Sequence, residues 1–190
     1  MTSCTRETHI TKAESSCILM IIPEADAEGQ VGQIYADILE IFGNVPVVYK
    51  ALALKPEILE RFWRLAETVF KSKTIPWNTK LMIALDVANS DGCVTCTGGY
   101  RAMLKDVGLS DTILNSVEER VVSPELDDST QSVMVYAHAI SKDPHDIDRN
   151  LIVSFKRRLS DEQLVEIVST INIFKSIIET IHSLALHEME

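Results

Sequence analysis

Two cysteines separated by two residues, Cys93 and Cys96, are the side chains of this sequence whose type and spacing most directly suggest chemistry. They stand in the stretch DVANSDGCVTCTGGYRAML, between Gly92 and the pair Gly98 and Gly99. A close cysteine pair serves as a disulfide, as half of a zinc site or as a reactive dithiol. Each use predicts different residues elsewhere in the chain.

The other cysteines and histidines do not complete a zinc site. A structural zinc ion needs about four ligands, and the sequence has no second CxxC, CxxH or HxxxH motif. His182 and His187 are five residues apart and would diverge on a helix. Cys4 and Cys17 lie in a polar segment near the N-terminus, and no role is indicated for them. We therefore expect the chain to work without a metal or another cofactor.

The apolar residues recur at intervals of three and four, which predicts an all-α chain. We expect a flexible N-terminal arm over residues 1–20 and a single helical domain over residues 21–190. In the third helix, the side chains expected to face the core are Ile58, Leu59, Phe62, Leu65, Val69 and Phe70. Helices are expected over about 28–42, 47–55, 56–70, 77–89, 94–107, 111–118, 128–141 and around 151–155, with a last helix that opens at the capping box of Ser160 and Gln163.

The cysteine pair is expected at a corner between two helices. The helix WNTKLMIALDVAN is apolar on nearly every side and should be buried, Gly92 should end it, and Cys93 should begin the next helix. The partial positive charge of a helix N-terminus stabilises a thiolate, and cysteines at i and i+3 can close a disulfide there. Gly98 and Gly99 leave room for a substrate to approach. This combination favours a redox dithiol, and two small buried cysteines at a helix contact are the alternative.

Proton carriers near such a dithiol are few. Asp86 lies seven residues before Cys93 in the apolar helix and is a candidate to hold a proton, with an ion-paired or subunit-contact acid as the alternative. His138 and His182 lie within helices, where a lone histidine is more often structural than catalytic. Glu179 and His182 form one ExxH pair, whereas helical di-iron sites need two.

From about Ile22 to Leu186 the chain resembles the carboxymuconolactone decarboxylase-like superfamily, and within it the alkyl hydroperoxidase D-like, peroxidase-related proteins. The resemblance rests on IPEADAEGQVGQIYADILEIFGNVPVVYKALALKPEIL, KLMIALDVANSDGCVTC and LSDEQLVEIVSTINIF, in the order and spacing of the family. It implies a compact helical domain of the alkyl hydroperoxidase D-like type that assembles into trimers or hexamers. The CxxC pair would then lie at a partly buried position near a subunit contact.

The hydroperoxidase members of that family reduce peroxides through the cysteine pair, without haem or metal, and a Glu and a His relay protons. Cys93 and Cys96 match the family's cysteines, but Leu81 stands at the position of the Glu and Tyr100 at that of the His. The phenol of Tyr100 donates a hydrogen bond but is a poor base at neutral pH. The candidate catalytic residues are therefore Cys93, Cys96, Tyr100 and Asp86. Cys96 is favoured as the attacking thiol because Tyr100 shares its helix face.

Two functions follow from these residues. The first is a thiol-dependent oxidoreductase that reduces a peroxide or a small disulfide, with a role in antioxidant defence and a thiol electron donor that the sequence does not identify. The second is an oligomeric binding protein of the same family that has lost catalysis with its proton relay. The decarboxylase chemistry that names the superfamily ranks last, because no basic cluster for a dicarboxylate accompanies the cysteines.

Charge and hydropathy exclude other classes of partner. A formal net charge of -10 opposes nucleic acid, and the basic run at residues 156–158 is too short to outweigh it. No apolar run approaches the roughly 18 residues that a membrane helix requires, and the N-terminus shows no leader cleavage site, so we expect a cytoplasmic protein without a membrane partner.

The long apolar stripe of the last helix and the apolar run LMIAL predict a homo-oligomer that covers them.

Overall fold

The computed structural model describes residues 19–143, 145 and 147–186. Within them the chain forms nine α-helices and no strand, which confirms the predicted all-α class. Most of the predicted N-terminal arm, with Cys4 and Cys17, lies outside the described residues, as does His187. The chain divides into two compact units, one drawn from Met1–Glu67 and Glu179–Glu190 and the other from Thr68–Ile178.

The helices follow one another with short connections, after a single 3-10 turn at Glu24–Asp26. Their bounds agree with the predicted ones to within a few residues. They are α1 Gly29–Phe42, α2 Val47–Leu52, α3 Pro56–Lys71, α4 Trp77–Ser90, α5 Val94–Asp106, α6 Asp111–Glu118, α7 Asp128–Lys142, α8 Arg149–Phe155 and α9 Asp161–Ser183.

Local capping chemistry fixes where several helices begin. The hydroxyl of Ser110 accepts the N–H of Ile113 at 3.2 Å at the start of α6. Before α9, the Ser160 hydroxyl accepts the N–H of Gln163 at 3.1 Å, and the Gln163 side chain accepts the N–H of Ser160 at 2.9 Å. These bonds satisfy N–H groups that a helix start otherwise leaves unpaired. The predicted capping box is therefore confirmed.

The unit drawn from Met1–Glu67 and Glu179–Glu190 has its own aromatic core. The ring of Tyr49 packs edge-on against the wholly buried Trp63, with centroids 5.5 Å apart. The hydroxyl of Tyr35 donates to the carbonyl of Ile22 at 2.8 Å. Helix α2 is shorter than predicted, because its last turn tightens to an i to i+3 bond from Lys55 to Leu52 before Pro56.

The predicted core face of α3 is wrong at two positions. Ile58 and Leu65 are 55% and 59% exposed, whereas Leu59, Trp63 and Ala66 are wholly buried. The buried side chains follow the i, i+4, i+7 row through the tryptophan, which has the largest apolar surface to bury. The neighbouring row through Ile58 and Leu65 therefore faces outward.

Helix α4 is the centre of the unit Thr68–Ile178. Every side chain from Thr79 to Ala88 is buried, which confirms the predicted burial of this apolar helix. It packs against α5, α6 and α7. At the N-terminal end, the ring of Trp77 meets that of Phe70 edge-on at 5.5 Å. Burial on all sides leaves any charged residue of α4 dependent on partners within the protein.

Lys80 is one such charge. Its ammonium donates to the carbonyls of Val69 and Ser72 at 2.6 and 2.7 Å and faces the carboxylate of Glu166 at 2.7 Å. Burial raises the pKa of Glu166, but hydrogen bonds from Lys80, Ser72 and the N–H of Ile75 outweigh burial and hold that pKa below its ordinary value. This buried pair attaches α4 to α9.

Most of the two apolar surfaces that suggested a homo-oligomer is buried within the single chain. The run from Leu81 to Leu85 is buried throughout, and so are Ile167, Ile171 and Phe174 on α9. The chain itself covers these residues, whereas Leu164 and Val168 of α9 are only half-buried, and the homo-oligomer stays a prediction. Among the described residues, no helix is both long enough and apolar enough to cross a membrane.

Replacing Glu166 by Gln removes the charge that faces the buried Lys80 ammonium and keeps the shape of the side chain. Because an uncompensated buried charge remains, we expect the free energy of unfolding to fall by about 3–5 kcal/mol in urea titrations at pH 7. The control is Asp161→Asn, which removes an exposed contact with Lys156 and should change that free energy by less than about 1 kcal/mol. Similar small losses in both variants would contradict this account of the pair.

Candidate functional site

The cysteine corner is built by the way α4 ends. Gly92 has a left-handed backbone with φ 71°, and its N–H donates to the carbonyl of Asn89 at 3.3 Å. The N–H of Cys93 donates to the carbonyl of Ala88 at 3.0 Å. These two bonds form a Schellman motif, which glycine favours because it adopts a positive φ without strain. The motif ties the first cysteine to the buried end of α4.

Cys93 and Cys96 are joined by a disulfide, with their Cα atoms 5.3 Å apart. Cys93 is the N-cap of α5, and its sulfur accepts the N–H of Cys96 at 3.4 Å. Cys93 is only 2% exposed, whereas Cys96 is half-buried. The sulfur of Cys96 is therefore the one that an incoming reagent reaches more easily, and the sulfur of Cys93 is the one that the helix N-terminus solvates.

The positions at which the sequence resemblance implies a proton relay hold different groups. Tyr100 lies one turn after Cys96 on α5, half-buried, with its ring edge-on to Phe174 at 5.3 Å. Leu81 is wholly buried in α4 and carries no exchangeable proton. The structure therefore places Cys93, Cys96 and Tyr100 along one helix.

Asp86 is wholly buried and its carboxylate is held by residues distant in sequence. One oxygen accepts the Ser141 hydroxyl at 2.6 Å. The other lies 3.4 Å from Nε2 of His138 and 3.7 Å from Nε of Arg120. We call these four residues the Asp86 cluster. This arrangement matches the ion-paired acid that the sequence left as an alternative. The catalytic role of Asp86 stays a prediction.

Arg120 contacts each of the other three members of the Asp86 cluster. One guanidinium nitrogen donates to the carbonyl of His138 at 2.5 Å and to the hydroxyl of Ser141 at 3.0 Å. Lys175 adds a bond from its ammonium to the carbonyl of Ser141 at 3.0 Å. Sequence reasoning did not identify Arg120 or Ser141. The one available signal was Asp86 itself, since an acid in a buried helix requires partners.

The histidine of the cluster titrates under opposing influences. Burial, the largest of them, lowers the pKa of His138, and the Arg120 guanidinium lowers it further. The Asp86 carboxylate raises it, and the net result is a pKa below the ordinary value of 6.5. His138 is therefore neutral at pH 7, and the positive charge facing Asp86 comes from Arg120.

The end of α6 connects both walls of the cysteine corner. The carbonyl of Glu118 accepts the side chain of Asn89 on α4 at 2.6 Å. Its carboxylate accepts Arg101 of α5 at 2.7 Å. Arg101 also bonds Asp111 and Asn115 of α6 at 2.9 Å each. Helices α4 and α5 are thus fastened to the same turn.

The surface beside the cysteines is open. Gly98 and Gly99 are exposed, and a Cβ atom built on either would have no neighbour within 4 Å. No group of three or more His, Cys, Asp or Glu side chains able to hold a metal ion occurs in the described part of the chain. A surface cleft of about 480 Å³ lies elsewhere in this unit, beside Glu166.

Solved structures with the same fold are numerous, although neither a protein-family model nor a curated protein matches the sequence. The debrominase Bmp8 in complex with 2,3,4-tribromopyrrole is 18% identical, with a TM-score of 0.77 over 90% of this chain and 91% of its own. An uncharacterised peroxidase-related protein from Silicibacter sp. TM1040 is 19% identical, with a TM-score of 0.73 over 93% and 94%.

A third similar structure is a peroxidase-related protein with an alkylhydroperoxidase AhpD core from Ralstonia eutropha JMP134. It is 15% identical, with a TM-score of 0.67 over 85% of this chain and 90% of its own. This chain therefore has the fold of the AhpD-like, peroxidase-related proteins, which is the fold that the sequence resemblance predicted. At these identities the similarity establishes the fold and does not transfer a substrate.

Gly98→Ala and Gly99→Ala should each raise the free energy of unfolding by about 0.5–1 kcal/mol, because α5 gains helix propensity and the added methyl group meets nothing. Urea unfolding of the oxidised protein measures this. The control is Gly92→Ala, where the surroundings are equally open but the positive φ strains any side chain, so stability should fall. If all three variants changed stability in the same direction, the account of these glycines would be wrong.

Acid should weaken the fold through His138. The folded state binds a proton at His138 more weakly than the unfolded chain does, so stability is complete above about pH 6.5 and is lost as the pH falls below it. We expect the drop in urea midpoint between pH 7.5 and 5.5 to be smaller in His138→Gln than in the wild type. An equal or larger drop in the variant would show that His138 does not carry this dependence.

Proposed function

We propose, for a chain with the AhpD-like fold and a CxxC pair at a helix N-terminus, that it is a thiol-dependent oxidoreductase that reduces a peroxide with electrons from a dithiol donor. The observation that carries the proposal is the asymmetry of the disulfide. Cys96 is the more accessible sulfur, and Cys93 is buried and accepts the N–H of Cys96. One cysteine is placed to be attacked and the other to leave as a stabilised thiolate.

Reduction of the disulfide begins the cycle. A donor thiolate attacks Sγ of Cys96, the Cys93–Cys96 bond breaks, and the electron pair leaves on Sγ of Cys93. The N–H of Cys96 and the N-terminus of α5 stabilise that thiolate. The second donor thiol then attacks the mixed disulfide, so that the donor leaves oxidised and both cysteines are reduced.

Peroxide reduction restores the disulfide. The Cys96 thiolate attacks an oxygen of the peroxide, the O–O bond breaks, and the alcohol leaves after taking up a proton. The thiolate of Cys93 then attacks the sulfenic acid on Cys96 and releases water. Over one cycle, a peroxide and a dithiol become an alcohol, water and a disulfide.

In this proposal Tyr100 donates a proton to the leaving oxygen. It lies four residues after Cys96, on the same side of α5, and its phenol is a hydrogen-bond donor. Since Leu81 exchanges no proton, the reaction lacks the acid that the family resemblance implies at that position. General acid–base catalysis contributes typically about 10²–10⁴-fold, so we expect slow turnover.

The similarity to Bmp8 favours reductive debromination as a second candidate. The same dithiol could remove bromine from a bromopyrrole: a Cys96 thiolate takes the bromine, the ring takes a proton, and Cys93 displaces bromide as the disulfide forms. The electron balance equals that of peroxide reduction, so the reactive pair does not distinguish the two substrates. The shape and polarity of the surface beside Cys96 would determine which of the two substrates binds.

Turnover assays decide between these candidates. Reduced protein with excess dithiothreitol should consume cumene hydroperoxide, and Cys93→Ser and Cys96→Ser should each lose at least about 100-fold in kcat/KM. Tyr100→Phe removes only the phenolic proton donor and should lower kcat by about tenfold.

Parallel assays with 2,3,4-tribromopyrrole measure bromide release. If the protein turned over the bromopyrrole but not the peroxide, the organobromide would replace the peroxide as the proposed substrate. Cys4→Ser and Cys17→Ser are the controls and should retain wild-type rates. A wild-type protein inactive on both substrates would contradict the proposal and favour a binding protein.

A further inference from the structure

Among the described helix ends of the unit Thr68–Ile178, those of α4, α5 and α6 form Schellman motifs, and the motif of α6 lacks glycine. The residue with the left-handed backbone is Gly92 at the end of α4 and Gly108 at the end of α5. At the end of α6 it is Arg120, with φ 58°. There the N–H of Arg120 donates to Val117 at 3.1 Å, and the next N–H donates to Ser116 at 2.9 Å. The hydrogen bonds are the same, so the turn itself does not require an arginine.

A side chain is unfavourable at this position. A left-handed backbone brings Cβ too close to the carbonyl oxygen, which is why glycine is favoured in such motifs. Arg120 therefore has a strained backbone conformation that glycine would avoid. What arginine provides at this position, and glycine does not, is a guanidinium group. That guanidinium contacts Asp86, His138 and Ser141.

The turn that carries Arg120 also holds the cysteine corner. Two residues earlier, Glu118 accepts Asn89 through its carbonyl and Arg101 through its carboxylate. Asn89 lies four residues before Cys93, and Arg101 lies five residues after Cys96. A single turn therefore links the Asp86 cluster to the residues on both sides of the disulfide.

We propose that Arg120 is a positioning residue for the Cys93–Cys96 pair, which it serves by anchoring the α6 turn to Asp86 while Glu118 of that turn holds α4 and α5. This inference rests on the proposed thiol chemistry. Loss of the guanidinium loosens the corner and weakens the bond from the N–H of Cys96 to Sγ of Cys93, so the thiolate of Cys93 is less stabilised.

Three substitutions separate positioning from simple stability. Arg120→Gly removes the guanidinium and relieves the strained backbone, Arg120→Ala removes it and keeps the strain, and Arg120→Lys keeps a charge without the planar fork. We expect the glycine variant to melt higher than the alanine variant by about 3 °C. The guanidinium is absent from both, so thiol reactivity should fall equally in both.

The readout is alkylation of the fully reduced protein by iodoacetamide between pH 5 and 9. The tryptic peptide over residues 81–101 contains Cys93 and Cys96 and neither of the other cysteines, so mass spectrometry follows this pair alone. At pH 7 we expect a loss of rate of about three- to tenfold in the glycine and alanine variants, with the pH profile moved upward by about half to one unit. The lysine variant should lie between them and the wild type.

Arg64→Ala is the matched control, because it removes a guanidinium paired with Asp37 and Glu67, outside the Asp86 cluster. It should alkylate at the wild-type rate. Two titratable groups contact the Arg120 guanidinium, Asp86 on α4 and His138 on α7, and Lys175 on α9 bonds the carbonyl of Ser141 beside them. The pH profile is interpreted with these three groups in mind.

A glycine variant that alkylates like the wild type, or a loss of rate that follows melting temperature, would overturn the inference. Because alkylation needs neither a peroxide nor a bromopyrrole, it remains informative if the wild type turns over neither substrate. An inactive wild type with the expected alkylation differences would refute the proposed function alone. An active wild type with unchanged alkylation in the variants would refute the role of Arg120 alone.

Discussion

Helix α4 buries two charged side chains, Lys80 and Asp86, and the surrounding helices are arranged to compensate them. A buried charge is tolerated only with close polar partners, since water does not reach it. Glu166 of α9 forms an ion pair with Lys80. The polar partners of Asp86 are Arg120, His138 and Ser141. These contacts fix the position of α4, and the end of α4 in turn fixes Cys93 through the bond from its N–H to Ala88.

The chemistry proposed for the cysteine corner depends on this rigidity. A thiolate at a helix N-terminus is stabilised only while N–H groups point at the sulfur, and here the N–H of Cys96 does so. The disulfide also differs between its two ends, with a buried Cys93 and a more accessible Cys96. For the thiol exchange that we propose, the fold therefore supplies a defined direction, which a bare CxxC peptide lacks.

Local features of the sequence predict local structure well. The capping box of Ser160 and Gln163 and the glycine turn before Cys93 place helix ends correctly, because their hydrogen bonds join residues a few positions apart. Partners distant in sequence escape such reasoning. Nothing in the pattern around Asp86 indicates Ser141, 55 residues away, and no glycine marks the left-handed turn at Arg120. These residues become visible only when the helices are packed.

The central claim is that Cys93 and Cys96 act as one reactive dithiol, and thiolate absorbance at 240 nm tests it most directly. The protein would carry Cys4→Ser and Cys17→Ser, be fully reduced, be titrated with pH, and then receive one equivalent of hydrogen peroxide. The account predicts a thiolate that forms well below the reference pH of about 8.5 and the joint loss of both thiols to one disulfide. Two thiols that titrate at or above that reference and survive the peroxide would contradict it.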